Sequence, residues 1–162
     1  MWLLEREKSI NSLLEYAREA RDGSGRVVLV SGEAGVGKST LIEQFRDELR
    51  DARWSWGLCD ALVTPRPLGP LFDIADALGG DLLVQSRADV RRDEVFRSLL
   101  REVNEPDRLN VVVIEDIHGA DDATTDLLRF LSRRVRDVRA LLIVTYRDED
   151  GSAWRARRLG VP

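Results

Sequence analysis

Lys38 is one of only two lysines among the 25 basic side chains of this chain, and it stands at a position where a lysine has a specific chemical use. The run Gly32-Glu33-Ala34-Gly35-Val36-Gly37-Lys38-Ser39 fits the spacing G-x-x-x-x-G-K-[ST] at every fixed position. Its glycines let the loop curl until successive backbone N–H groups face inward. There, with the positive end of a following helix, they hold a polyphosphate. Lys38 is then in reach of the β- and γ-phosphates, the Ser39 hydroxyl ligates Mg²⁺, and the contacting stretch runs from Gly32 to Thr40.

A second group of reactive side chains closes the apolar run Val111-Val112-Val113-Ile114, namely Glu115 and Asp116. Acidic residues at a strand's carboxyl end fall where α/β sheets bind ligands. Downstream of a phosphate loop they read as a carboxylate that organises Mg²⁺ with Ser39, for which Glu115 is the candidate, and one that polarises the attacking water. An acidic strand end that only solvates a turn is the plainer alternative. Neighbouring strand residues point to opposite faces, so Asp116 joins Glu115 only if the chain turns there. Ile117 to Asp121 reads as that turn, with Asp121 or Asp122 capping the next helix. His118, the single histidine, either senses the γ-phosphate or transfers a proton, or simply bonds to backbone. Thr145 and Arg147 end a further apolar run and are candidate γ-phosphate contacts.

The hydrophobic pattern supplies elements to position these groups. Val27 to Val30 has the continuous apolar character of a strand buried on both faces of a parallel sheet. Behind the loop, Leu41, Ile42, Phe45 and Leu49 form a helical face. Ahead of it, Ile10, Leu13, Leu14 and Ala17 predict a helix over residues 3–20, broken at Asp22-Gly23-Ser24-Gly25. Trp54 to Cys59 suits a second strand beside the first. The prolines of Thr64 to Pro70 make a connector, in which Arg66 is a candidate substrate contact. Leu71 to Leu78 predicts a short helix ending at Gly79-Gly80, and residues 89–103 a second one carrying Phe96, Leu99, Leu100 and Val103. Thr124, Leu127, Leu128, Leu131 and Val135 line the helix after the acidic pair, and Ala140 to Thr145 is a third apolar strand. From Gly151 the pattern gives way to a basic tail with Trp154, Arg155, Arg157 and Arg158.

The 162 residues are one domain's worth, with 43% apolar and 33% charged side chains, an ordinary globular mixture. No apolar run approaches a membrane span and no signal-peptide layout opens the chain, so the reading is cytoplasmic. A net charge of −4 argues against direct nucleic-acid contact by this chain. The single cysteine, Cys59, has no partner for an internal disulfide and reads as a small buried residue.

Taken in order, LLEREKSINSLL, VVLVSGEAGVGKST, WGLCDAL, PRPLGPLFDIA, VVVIEDIHGADDATTDLLRFLSRR and LLIVTYRDED resemble the AAA-type, Orc1-like ATPase module of large bacterial signal-transduction ATPases. These are above all LuxR-family transcriptional regulators. Related modules accompany class III adenylate cyclase domains and some protein kinases. The resemblance covers residues 2 to about 150 and implies a P-loop NTPase fold, a three-layer α/β/α arrangement around a mostly parallel sheet. It also implies that Gly32 to Ser39 is the Walker A motif, that Glu115-Asp116 occupies the Walker B pair and that Thr145 and Arg147 are the sensor. ATP or ADP with Mg²⁺ would be the ligands, and other domains or subunits of a larger regulator the partners. Two positions depart from the family pattern. Glu5-Arg6-Glu7 lacks the usual glycine of a Gly-Arg-Glu beside the adenine, and Gly119 replaces a tryptophan after the histidine. Family members continue into a fifth core strand and a lid, so residues 1–150 read as an incomplete core and 151–162 as a tail outside it.

The leading functional expectation is therefore a regulatory ATPase switch, with Lys38 and Mg²⁺ on the phosphates and Glu115 or Asp116 orienting water. The alternative is a nucleotide-binding or protein-interaction module without turnover. A small-molecule kinase would need a lid built around Arg87, Arg91 and Arg92, which fit a solvated helix face as well. A GTPase is disfavoured by the lack of Asn-Lys-x-Asp, and a transporter ATPase by the lack of its Gly-rich signature. Arg133 and Arg134 either reach a neighbouring subunit's site or are solvated.

Overall fold

The computed structural model describes residues 2–59 and 67–147. In chain order they form α1 (Trp2–Arg21), β1 (Arg26–Ser31), α2 (Lys38–Glu48), β2 (Arg53–Leu58), α3 (Gly69–Leu78), α4 (Gly80–Arg87), α5 (Arg92–Val103), β3 (Asn110–Glu115), α6 (Asp122–Arg134) and β4 (Ala140–Tyr146). All strand pairs are parallel, in the order β1-β4-β3-β2. This is the expected three-layer α/β/α fold. Arg66 and the basic tail lie outside the described residues.

Side-chain alternation along the central strands divides the core. Val111, Val113, Leu141 and Ile143 join Leu13, Ala17, Ile42 and Phe45 on the face covered by α1 and α2. Val112, Ile114, Leu142 and Val144 join Leu71, Ile74, Phe96, Leu99, Leu127 and Leu131 on the face covered by α3 to α6. Strands β3 and β4 are buried on both faces, which is why their sequences are continuous apolar runs rather than alternating ones.

One expectation needs correction. β2 does not lie beside β1: it pairs with β3 at the opposite edge, in register Trp54↔Val111 and Leu58↔Glu115. Its mixed composition, with Arg53, Ser55 and Gly57, suits an edge, whereas the run Ala140 to Thr145 claims the interior place next to β1. α3 ends at Leu78 with Gly79 as its C-cap, as expected, and α4, an element the hydrophobic pattern does not predict, begins at once at Gly80. Both glycines take positive φ, +71° and +63°, so the chain bends sharply and starts a new helix. That helix buries only Leu82, too little to mark a face in the sequence.

One close approach fixes α3 against β2. A Cβ added at Gly57 would lie 2.6 Å from the Pro70 carbonyl oxygen and 2.8 Å from its Cα. Farther along, Asp121 joins two elements. Its carboxylate accepts from the Thr124 N–H and hydroxyl at the start of α6, at 2.9 and 2.7 Å, and from the Leu68 N–H at 3.2 Å. Leu68 precedes α3 with φ 57°, a left-handed conformation that leucine adopts only under constraint. Burial works against the charged form of Asp121, but the Thr124 and Leu68 hydrogen bonds outweigh it and hold the carboxyl below its ordinary value.

Two predictions follow from this packing. Gly57→Ala should cost about 1–3 kcal/mol, read from denaturant unfolding, because backbone rather than a movable side chain blocks the new methyl. Asp121→Ala should cost about 1 kcal/mol as a lost helix cap. The folded-state value for Asp121 is depressed, so its contribution is present above the unfolded value of about 3.9 and fades as pH falls through the folded one. Asp121→Asn keeps the cap, and its unfolding midpoint should therefore vary less between pH 6 and pH 3 than that of the wild type.

Candidate functional site

The loop between β1 and α2 rises from the carboxyl end of β1. Gly37, the residue before α2, has φ 90° and ψ 31°, so the loop enters the helix through a conformation open to glycine. Lys38 opens α2, and its ammonium folds back over the loop, donating to the Gly32 carbonyl at 2.8 Å and the Glu33 carbonyl at 2.9 Å. Ser39 and Thr40 follow, exposed in the first turn, and Glu33, Ala34 and Gly35 are exposed along the loop, with Val36 half-buried. The backbone thus presents the orphan N–H groups of a helix start together with a cation.

A residue from α1 enters the same place. The Arg6 guanidinium donates to the Gly37 carbonyl at 3.4 Å, and a Cβ at Gly37 would lie 2.5 Å from Arg6 Nη2. A side chain at Gly37 would displace the movable Arg6 guanidinium, while the backbone angles are what call for glycine. Two cations, Arg6 and Lys38, stand at one helix N-terminus, where the dipole disfavours positive charge and favours an anion. Sequence spacing gave no hint of this contact across 31 residues; only the resemblance had set Arg6 near the nucleotide.

The carboxyl ends of β3 and β4 supply the rest. Parallel register sets Val30 beside Thr145 and Ser31 beside Tyr146, so β4 ends next to the loop as expected, with half-buried Arg147 just beyond it. Alternation from Val111 and Val113 carries Glu115 to the face that holds α2. Its Oε1 is buried and accepts no hydrogen bond, a costly state for a carboxylate oxygen and one that a cation would relieve. The Ser39 hydroxyl, the Glu115 oxygen and phosphate oxygens are the hard donors Mg²⁺ takes, so these residues fit that ion.

The turn comes earlier than expected, at Asp116 itself, with φ 56° and ψ 53°, ahead of a 3-10 turn over Ile117–Gly119. Its N–H donates to Thr145 Oγ1 at 2.9 Å, and Thr145 is only 2% exposed. The Asp116 carboxylate stands 3.9 Å from His118 Nδ1. Burial, then the charges of Asp121, Asp116 and Asp73, push the Cys59 thiol up to about 12, so it stays protonated and takes no nucleophilic role at neutral pH. Arg134 is committed away from the loop: it lies over the Phe130 ring at 4.1 Å and donates to the Phe130 carbonyl.

Known proteins are similar to this chain in sequence or in fold. An uncharacterized protein of Rhizobium meliloti is 28% identical over 196 residues, covering 94% of this chain and 19% of its own length. The serine/threonine-protein kinase PknK of Mycobacterium tuberculosis is 31% identical over 117 residues, 64% of this chain and 10% of the kinase. The chain thus spans a small part of the curated relatives it matches. Among solved structures, the ORC2 protein of Aeropyrum pernix, described as ADPNP-ADP complexes, superposes with a TM-score of 0.68 at 15% identity, over 96% of this chain and 44% of that one. That likeness is one of fold. The sequence profile of the AAA ATPase domain matches residues 3–144, from the first helix into the last strand, and the chain belongs to that family.

Proposed function

We propose that this chain is the ATP-binding and ATP-hydrolysing switch module of a larger signalling or transcription-regulator ATPase. ATP and ADP would favour different arrangements, and hydrolysis would reset the state. The reading is carried by one juxtaposition: a lysine held on loop carbonyls at a helix N-terminus, with the unpartnered Glu115 oxygen on the same face of the sheet. A polyphosphate entering the loop takes over the Lys38 ammonium from the carbonyls and accepts from the α2 N–H groups. Ser39 and Glu115 would hold Mg²⁺, which neutralises phosphate charge when bound. Arg6 stands on the α1 side of the cradle and Arg147 at the end of β4.

In this scheme a carboxylate of the acidic pair orients water for attack on the γ-phosphorus, and the bond to the bridging oxygen breaks to give ADP and phosphate. Positioning and charge stabilisation supply the rate. A second reading, nucleotide binding without turnover, is favoured by the irregular acidic pair, in which Asp116 leaves the strand in a left-handed turn with its carboxylate 3.9 Å from His118 Nδ1. The relative PknK, a kinase of which the match is a tenth, supports membership of a larger signalling protein; LuxR-type regulators and class III cyclases are the other hosts the motifs suggest. Among the described residues no helix is long and apolar enough to cross a membrane; a cytoplasmic location is part of the proposal. Nucleic-acid contact, where the host makes it, is left to other domains.

Calorimetric titration with Mg²⁺-ATP and with ADP tests the binding step. Lys38→Ala should weaken ATP by about 10- to 100-fold and Arg6→Ala by a smaller factor. Equal affinity in Lys38→Ala and the wild type would sink the assignment. Glu115→Gln should keep the fold and lose Mg²⁺-dependent phosphate release by about 10²-fold or more. Binding without release in the wild type would select the second reading.

A further inference from the structure

We propose that Thr145 is a positioning residue for the acidic pair, its hydroxyl pinning the left-handed backbone of Asp116 rather than touching phosphate. The catalytic consequence rests on the hydrolytic reading above; the pin itself rests on geometry. Thr145 is 2% exposed, and its Oγ1 accepts the Asp116 N–H at 2.9 Å across the ends of β3 and β4. Among the described residues only Leu68 and Asp116 hold positive φ without being glycine. The Asp116 carbonyl is also committed, accepting from the Gly119 N–H at 3.0 Å as the first bond of the 3-10 turn. Both backbone polar groups of the strained residue are therefore spoken for, one of them by a side chain 29 residues away.

Release of that N–H changes where the carboxylates stand. An aspartate free to relax goes back to the extended region, because the left-handed well is the costlier one for a residue with a Cβ. Extended backbone at Asp116 continues β3 by one residue and throws its carboxylate to the face opposite Glu115. The pinned turn takes the place of that extended geometry and ends β3 at Glu115, on the alternation that carries Glu115 to the α2 face. Because Thr145 is buried, little water reaches the site to replace the lost acceptor.

The test uses Thr145→Val, Thr145→Ser and Asp116→Gly in the whole chain. Thr145→Val keeps size and strand preference but removes the acceptor. It should retain Mg²⁺-ATP affinity within about twofold while turnover at saturating ATP falls by about 10²-fold, the scale of a misplaced catalytic group. Thr145→Ser, which restores the hydroxyl, should recover most of that turnover. A parallel thermal-unfolding cycle needs no activity. Thr145→Val should lower Tm by about 2–4 °C in the wild-type background. With Asp116→Gly, where left-handed backbone carries no strain, the loss should be roughly half or less. Loss of ATP affinity in step with turnover would make Thr145 a phosphate contact and overturn the proposal. Additive Tm losses would overturn the pin. A wild type without turnover would refute the hydrolytic reading and leave the unfolding cycle to decide the pin.

Discussion

Four strands running the same way put all their carboxyl ends on one rim, and the ladder register that holds them there is what the site depends on. Val30 stands beside Thr145 and Ile114 beside Val144, so the loop after β1, the acidic end of β3 and the polar end of β4 meet within the span of three neighbouring strands. No local sequence preference could assemble them. Val111, Val113, Leu141 and Ile143 on one side and Val112, Ile114, Leu142 and Val144 on the other lock the central pair between two helical layers. A slip of one residue would expose each set to the wrong layer, so packing enforces the register to the residue.

The rim is also where the strain sits. Leu68 and Asp116 hold left-handed backbone, each at a cost on the order of 1 kcal/mol or more, and a polar group elsewhere in the chain ties each one down. The Asp121 carboxylate takes the Leu68 N–H, and the Thr145 hydroxyl takes that of Asp116. Asp121 lies five residues past Asp116, so the segment after β3 is fastened at both ends, to β4 through Thr145 and to the start of α3 through Leu68. Away from the rim, the polar contacts are of another kind. At the opposite end of the sheet Arg53 pairs with Glu102 and Glu105 and donates to the Leu78 carbonyl, contacts that anchor β2 without meeting the loop.

Features set by neighbouring residues were legible in the sequence. The phosphate loop is a contiguous spacing, and helical faces such as Leu127, Leu128, Leu131 and Val135 follow from period alone, which is why all four are buried as expected. Features set by pairs remote in the chain were not. The place of β2 depends on which strand claims the interior beside β1, a competition no single segment records. The Arg6 contact with Gly37 and the Thr145 bond to Asp116 join residues 31 and 29 apart. A threonine at a strand end reads as a ligand contact because its type permits one; that its oxygen also accepts the Asp116 N–H emerges only from the fold. The need for a turn at the acidic pair was legible, since alternation forbids both carboxylates on one face. Its location at Asp116 was not, because aspartate gives a weaker left-handed signal than glycine.

The strand beneath the loop shows how local and global demands differ. β1 reads as an interior strand, Val27 to Val30 without a polar break, yet among the described residues it pairs only with β4. Its inner residues are half-buried where those of β3 and β4 are fully so. A groove of about 620 Å³ runs along its amino-terminal half, walled by Tyr16 from α1 and by Ser132 and Val135 at the end of α6. Among the described residues, the phosphate loop therefore grows from a strand paired on one side. Arg6 braces it from α1, through the Gly37 carbonyl that also accepts the Leu41 N–H of α2. Ordering of the loop by an anion and stiffening of β1 act on the same short stretch of backbone.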